Sequence, residues 1–203
     1  MAKLIFKYST MNSGKTIDLI RTVHNYEENN CKVLVLKPLI DTKAGTKVQT
    51  RIGLEREVDF LVGETDSILE LLKGKLKDIK CIFIDESQFL SCSQIDELFI
   101  ITKSIDIPVI CYGLRTDFKL DSFPGSKRLL ELSEDLEEFK TLCYCGDVAR
   151  YAGRKVDGNF VMEGEKIVID GENNIEYVPL CGKHYLENVT KINLDKIKED
   201  LYE

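Results

Sequence analysis

Hydrophobic positions along the chain cluster in two kinds of spacing. Compact apolar runs of strand length lie at residues 4–6, 32–36, 81–84 and 108–112, and Pro38 stops the second. Between them the spacing turns helical. Ile17, Leu19, Ile20 and Val23 share one face of a helix running to about Tyr26, and Ile95, Leu98, Phe99 and Thr102 share another. A short helix is predicted over residues 67–72. A further helical stretch at residues 129–132 leads to a last strand near residues 139–142. Buried strands alternating with helices predict an α/β fold with a parallel sheet covered on both faces. Two stretches break the pattern. Residues 41–57 are polar and aperiodic and read as a long loop, and residues 113–125 read as a glycine-bounded loop.

The character changes after Leu142. Residues 143–185 are rich in glycine and charge, with short β-like runs such as Ile167-Val168-Ile169. This places a boundary near Thr141 and predicts three parts: residues 1–141, residues 142–190, and a charged tail over residues 191–203.

Composition narrows the function classes. The 203 residues are 43% hydrophobic and 31% charged, the balance of an ordinary globular chain. Twenty-eight Lys and Arg against 35 Asp and Glu give a net charge of −7, which argues against a nucleic-acid polymer as partner. No window reaches the length of a membrane span and no leader pattern is seen, so a cytoplasmic protein with no membrane partner is expected. Its seven cysteines are then expected to be reduced, as core residues or metal ligands. Cys81 and Cys111 sit inside apolar runs, Cys31 borders one, and Cys92 opens a helical segment.

Three motifs carry chemistry. The first is Ser9-Thr10-Met11-Asn12-Ser13-Gly14-Lys15-Thr16, which fits the phosphate-loop pattern except that Ser9 replaces the first glycine. In that pattern backbone N–H groups converge on a phosphate, Lys15 reaches the β- and γ-phosphates, and the Thr16 hydroxyl coordinates Mg²⁺. The second is Asp85-Glu86 at the end of the 81–84 run. An Asp there holds Mg²⁺ in phosphate-loop enzymes, and Glu86 stands where it can take a proton from an attacking group. Whether that group is water or a substrate hydroxyl, an ATPase or a kinase, the pair does not say. The third is Cys143-x-Cys145 with Cys181-x-x-His184, a ligand set for a closed tetrahedral zinc site of structural kind. Two other readings remain open on these residues. One is a phosphate-loop ATPase or switch, which leaves the zinc-tied segment without a role. The other is a non-enzymatic zinc module, which leaves the phosphate loop without one. His24 reads as a solvated residue on the polar side of the first helix.

Together these segments resemble the type II thymidine kinases. The resemblance is carried by residues 8–16, Asp85-Glu86-Ser87-Gln88-Phe89, residues 111–118 (CYGLRTDF), the Cys/His set and Tyr185. It implies a phosphate-loop, RecA-like domain with a small C-terminal zinc-binding lasso. It implies transfer of the γ-phosphoryl group of ATP to the 5′-hydroxyl of thymidine, with deoxyuridine as a further acceptor, in nucleotide salvage for DNA synthesis. Glu86 would be the general base, Asp85 would help hold Mg²⁺, and Asp85, Glu86, Ser87 and Gln88 would line the nucleotide site with the phosphate loop. Phe118 matches an aromatic near the thymine. Lys166, Ile167, Val168, Ile169, Asp170 and Tyr177 correspond to the lasso's contacts with the base. Feedback inhibition by thymidine triphosphate and a homotetramer are also implied. Arg51, Arg115 and Arg150 are either phosphate-neutralising groups or solvated surface residues.

Overall fold

The computed structural model describes residues 1–41, 45–164 and 174–202. The described elements, in chain order, are β1 (Leu4–Ser9), α1 (Lys15–Glu28), β2 (Lys32–Pro38), β3 (Lys47–Gln49), β4 (Glu55–Glu57), β5 (Phe60–Val62), α2 (Ile68–Leu72), β6 (Ile79–Ile84), α3 (Cys92–Ser104), β7 (Val109–Leu114), α4 (Pro124–Leu132), β8 (Asp135–Glu138), β9 (Thr141–Leu142), β10 (Val148–Ala149), β11 (Tyr151–Val156), β12 (Asn159–Val161), β13 (Ile175–Leu180), α5 (Gly182–Asn188) and α6 (Leu194–Tyr202). They divide into two compact units, each described separately.

The first unit comprises Met1–Tyr8, Gly14–Arg115 and Ser122–Phe139. Its core is a six-stranded sheet in the order β5-β2-β6-β7-β1-β8. The pairs β5/β2, β2/β6, β6/β7 and β1/β8 are parallel. Alternate side chains of one strand feed two cores. Leu36, Ile82, Ile84, Val109 and Cys111 face one side with Leu4 and Phe6, and meet α2, α3 and α4 through Ile68, Leu72, Ile95, Leu98, Ile101 and Leu129. Val33, Val35, Cys81, Phe83, Ile110 and Tyr112 face the other and meet α1 through Leu19 and Val23. Burial on both faces explains why the central strands read as unbroken apolar runs. It also pushes the Cys81 thiol up to about 12, that of a core residue.

Helix starts follow local chemistry. Ser91 caps α3 in a reciprocal box with Gln94, and Pro124 occupies the first turn of α4. His24 is exposed on α1, beside Glu28 at 3.3 Å.

Two expectations are corrected here. Residues 41–57 are not featureless among their described members: β3 and β4 pair antiparallel, with Val48 buried against α1. The strand expected near residues 139–142 is β9, at Thr141–Leu142, but it pairs with β10 in the second unit; the last strand of the large sheet is β8, where Asp135 to Glu138 pair with Ile5 to Tyr8. As an edge strand it carries polar side chains, so its sequence lacks an apolar run.

The second unit comprises Ser9–Ser13, Thr116–Asp121 and Lys140–Glu203. It contains the β9/β10 hairpin, the antiparallel sheet β12-β11-β13, and α5 and α6. One small core gathers Cys143, Ala149, Leu180, Cys181, Tyr185 and Val189. A second gathers Met11, Phe118, Ile175 and Tyr177. Helix α6 buries no residue, in keeping with its charged sequence. No described helix is long and apolar enough to cross a membrane.

Candidate active site and metal centre

The span between β1 and α1 has an unusual backbone course. Asn12 has φ 61° and Gly14 φ 84°, both left-handed, and the backbone then enters α1 directly. Alternating backbone hand of this kind turns successive N–H groups toward one point, and Gly14 takes its φ without the penalty a side chain would add. Within this span the Ser9 and Ser13 hydroxyls bond each other. The Asn12 carbonyl accepts from the Thr141 hydroxyl at 3.4 Å.

In the first unit, Lys15, Asp85 and Glu86 interact electrostatically. Lys15 opens α1 after β1, and Asp85 follows the last residue of β6, so both lie past the carboxyl ends of sheet strands. Burial lowers the Lys15 pKa, and the charges of Glu86 and Asp85 partly restore it. Asp85 is 5% exposed. Burial first, then the neighbouring Glu86, raise its pKa, against the pull of Lys15. A buried carboxylate held in that state is one that a hard divalent cation would favour in ionised form.

Glu86 has φ 48°, a left-handed backbone at a residue with a side chain. Such a conformation costs roughly 1–2 kcal/mol and persists because its surroundings impose it. Here the Asp85 N–H bonds Leu36 O at 3.0 Å on one side, and the 3-10 turn Ser87–Phe89 is fixed on the other by Phe89 N–H to Glu86 O and Leu90 N–H to Ser87 O.

Sequence reasoning missed Lys37 and Asp41. The Lys37 ammonium is buried at the end of β2, 2.9 Å from the Asp41 carboxylate, and donates to Lys47 O at 3.2 Å. The Asp41 charge adds to the upward push on Asp85. The only hint was a lysine closing an apolar run just before Pro38.

In the second unit, the Phe118 and Tyr177 rings meet at 6.4 Å, with Met11 in the same cluster. The buried Arg154 guanidinium lies over the Phe118 ring at 4.8 Å. Tyr185 donates its hydroxyl to the Phe118 carbonyl at 2.6 Å. Arg154 was also missed, because nothing in the sequence separates it from surface arginines. Lys166, Ile167, Val168, Ile169 and Asp170 lie outside the described residues.

The Cys/His set converges. Cys143 and Cys145 sit on the β9–β10 turn, where Cys143 N–H bonds Asp147 O at 2.8 Å. Cys181 precedes α5 and His184 lies in its first turn. All four ligand atoms lie within 4.8 Å of one another. His184 Nδ1 is 3.4 Å from the sulfurs of both Cys143 and Cys181, and the Cys145 and Cys181 sulfurs are 3.8 Å apart. A tetrahedral zinc with bonds of about 2.3 Å to sulfur and 2.0 Å to nitrogen requires edges of about 3.8 Å and 3.5 Å, so the residues fit this ion. Burial disfavours the Cys143 thiolate. The Cys145 and Cys181 backbone N–H groups and His184 overcome that and bring its pKa to about 6. Cys145 rises to about 11: the Asp147 N–H lowers it, but burial and the adjoining sulfurs outweigh that bond. Tyr144 packs on the His184 ring at 4.3 Å, and Asn188 donates to the Tyr144 hydroxyl at 3.1 Å.

A family model described as "Thymidine kinase" matches residues 2–185. The chain belongs to the thymidine kinase family. Thymidine kinase of Enterobacteria phage T4 is 43% identical over 196 residues, spanning 95% of this chain and 100% of that one. Thymidine kinase of Pasteurella multocida is 42% identical, spanning 93% and 99%. Thymidine kinase of Streptococcus gordonii is 41% identical, spanning 92% and 97%. Among solved structures, the Pif1 helicase of Candida albicans overlaps 70% of this chain and 36% of its own at a TM-score of 0.41 and 14% identity, too distant to argue from. The thymidine kinase match runs through both units, from β1 to Tyr185 in α5, and so takes in the phosphate-loop span, Asp85-Glu86 and all four residues of the Cys/His set.

Proposed function

We propose that this chain transfers the γ-phosphoryl group of ATP to the 5′-hydroxyl of thymidine, and of deoxyuridine, giving the nucleoside monophosphate and ADP for DNA synthesis. The observation that carries the reading is Lys15, Asp85 and Glu86 drawn together past the strand ends in a member of the thymidine kinase family. Phosphoryl transfer asks chiefly for positioning and charge neutralisation.

In this reading residues 1–141 bind the nucleotide, residues 142–190 form a zinc-tied lasso over the acceptor, and residues 191–203 are a tail. Ser9, Thr10, Met11, Asn12, Ser13 and Gly14 cradle the phosphates through backbone N–H groups, with Lys15 reaching the β- and γ-phosphates. Thr16 and Asp85 would hold Mg²⁺, which when bound neutralises phosphate charge. Asp85 to Gln88 line the nucleotide site. Glu86 accepts the proton of the 5′-hydroxyl as the oxygen attacks phosphorus and ADP leaves. Phe118, Tyr177 and residues 166–170 hold the base, and the lasso keeps water from competing. Zinc on Cys143, Cys145, Cys181 and His184 is structural: four protein ligands leave no open position. Cytoplasmic location, a homotetramer and feedback inhibition by thymidine triphosphate complete the reading.

The test is product analysis with ATP, Mg²⁺ and a panel of nucleosides. Thymidine should be phosphorylated and purine nucleosides left unchanged. ADP formation at one rate whatever the nucleoside would instead make the protein an ATPase.

A further inference from the structure

The turn after Glu86 carries two polar side chains that face inward. Ser87 is buried and donates its hydroxyl to Tyr112 O at 2.9 Å. Gln88 is 1% exposed. Its Oε1 accepts the backbone N–H of Leu114, at the end of β7, at 3.1 Å. A backbone N–H can only donate, so this bond fixes which end of the amide is oxygen. The other end is therefore the NH₂ group, and it donates to Glu86 Oε2. Both ends of the amide are thus engaged inside the fold.

We propose that Gln88 is a positioning residue: it ties the Glu86 carboxylate to the end of β7 and leaves the second carboxylate oxygen to meet the acceptor hydroxyl. A glutamate has three rotatable side-chain bonds, and the half-buried Glu86 projects from a strained backbone. One charge-assisted bond from a rigid amide selects among those rotamers before substrate arrives. The chain of contacts is β7 backbone, Gln88, Glu86, so the strand that ends beside the site sets the direction of the base. The inference rests on Glu86 being that base.

Gln88→Glu keeps the side-chain shape and an acceptor for Leu114 N–H, and replaces the amide donor to Glu86 with a carboxylate that repels it. Gln88→Leu removes both bonds and serves if the first variant folds poorly. Each is measured alone and on a Glu86→Gln background, with separate KM values for ATP and thymidine. The expected result is a fall in kcat of about tenfold to a hundredfold, the range for one bond to a charged group. Both KM values should stay within about twofold, and the Glu86→Gln background should show no further fall, as for residues acting as a unit. An unchanged kcat, a loss confined to the KM for ATP, or an equal fractional loss on the Glu86→Gln background would overturn the inference and leave the base in place. Wild-type turnover by Glu86→Gln itself would overturn the base assignment, and the role of Gln88 with it.

Discussion

Glu86 joins a left-handed backbone, an adjacent buried carboxylate and a nearby buried lysine. Each feature is unfavourable for folding and useful for moving a proton. Glu86→Gln keeps the shape and removes the base, so turnover should fall by about a hundredfold or more while ATP affinity is retained. Steady-state kinetics beside nucleotide titration reads both, and turnover near wild type would remove Glu86 from the chemistry. Residues of this kind were legible in the sequence because residue type and spacing mark them: Gly14-Lys15-Thr16 after an apolar run, Asp85-Glu86 at the end of another, and paired Cys and His at ligand spacing. Lys37 and Arg154 were not, and Gln88 was named only as lining the nucleotide site, because their significance comes from burial and partners that sequence spacing does not encode. Lys37 reads as surface charge until its ammonium is found enclosed beside Asp41.

At the scale of elements, one carboxylate ties the first turn of α1 to β1 and β7. Asp18, in its first turn, accepts from Lys7 at 3.1 Å, from Tyr112 at 2.9 Å and from Arg21. Burial alone would raise the Asp18 pKa. The bonds from Lys7, Tyr112 and Arg21 outweigh it and hold the carboxyl below its ordinary 3.8. Its folded pKa is depressed, so the stability it contributes is complete above 3.8 and is lost as pH falls through the lowered value. Asp18→Asn should therefore cost about 1.5–3 kcal/mol at neutral pH and flatten the acid side of the stability profile. Urea unfolding between pH 2 and pH 7 measures this, and parallel acid limbs would count against it. Helix α4 is seated more closely still. A Cβ on Gly125 would stand 2.6 Å from the carbonyls of Ser87 and Leu90. Gly125→Ala should destabilise the fold by about 1–3 kcal/mol by pushing α4 from the turn that carries Gln88. A melting temperature equal to wild type would refute that close approach. The central strands were legible because both faces bury apolar side chains. The β3–β4 hairpin was not, since Glu55 and Glu57 pair with Gln49 and Lys47 on a largely solvated surface where strand and loop sequences look alike.

The whole molecule consists of two units, and the second has two small cores, one of which contains Cys143 and Cys181. A small core of this size contributes limited stability by itself, so a bound metal should supply much of the fold there. Purified protein should contain one zinc per chain. Verified removal by a chelator should open residues 143–190 to proteolysis while the sheet unit resists, and an unchanged digestion pattern would contradict a structural role. The central claim is that Glu86 and its surroundings deliver a phosphoryl group to a nucleoside and not to water. Simultaneous measurement of ADP and thymidine monophosphate, with and without thymidine, tests it most directly. The account predicts one ADP for each monophosphate formed and a near absence of ADP without nucleoside. Equal ADP release in both conditions would contradict it.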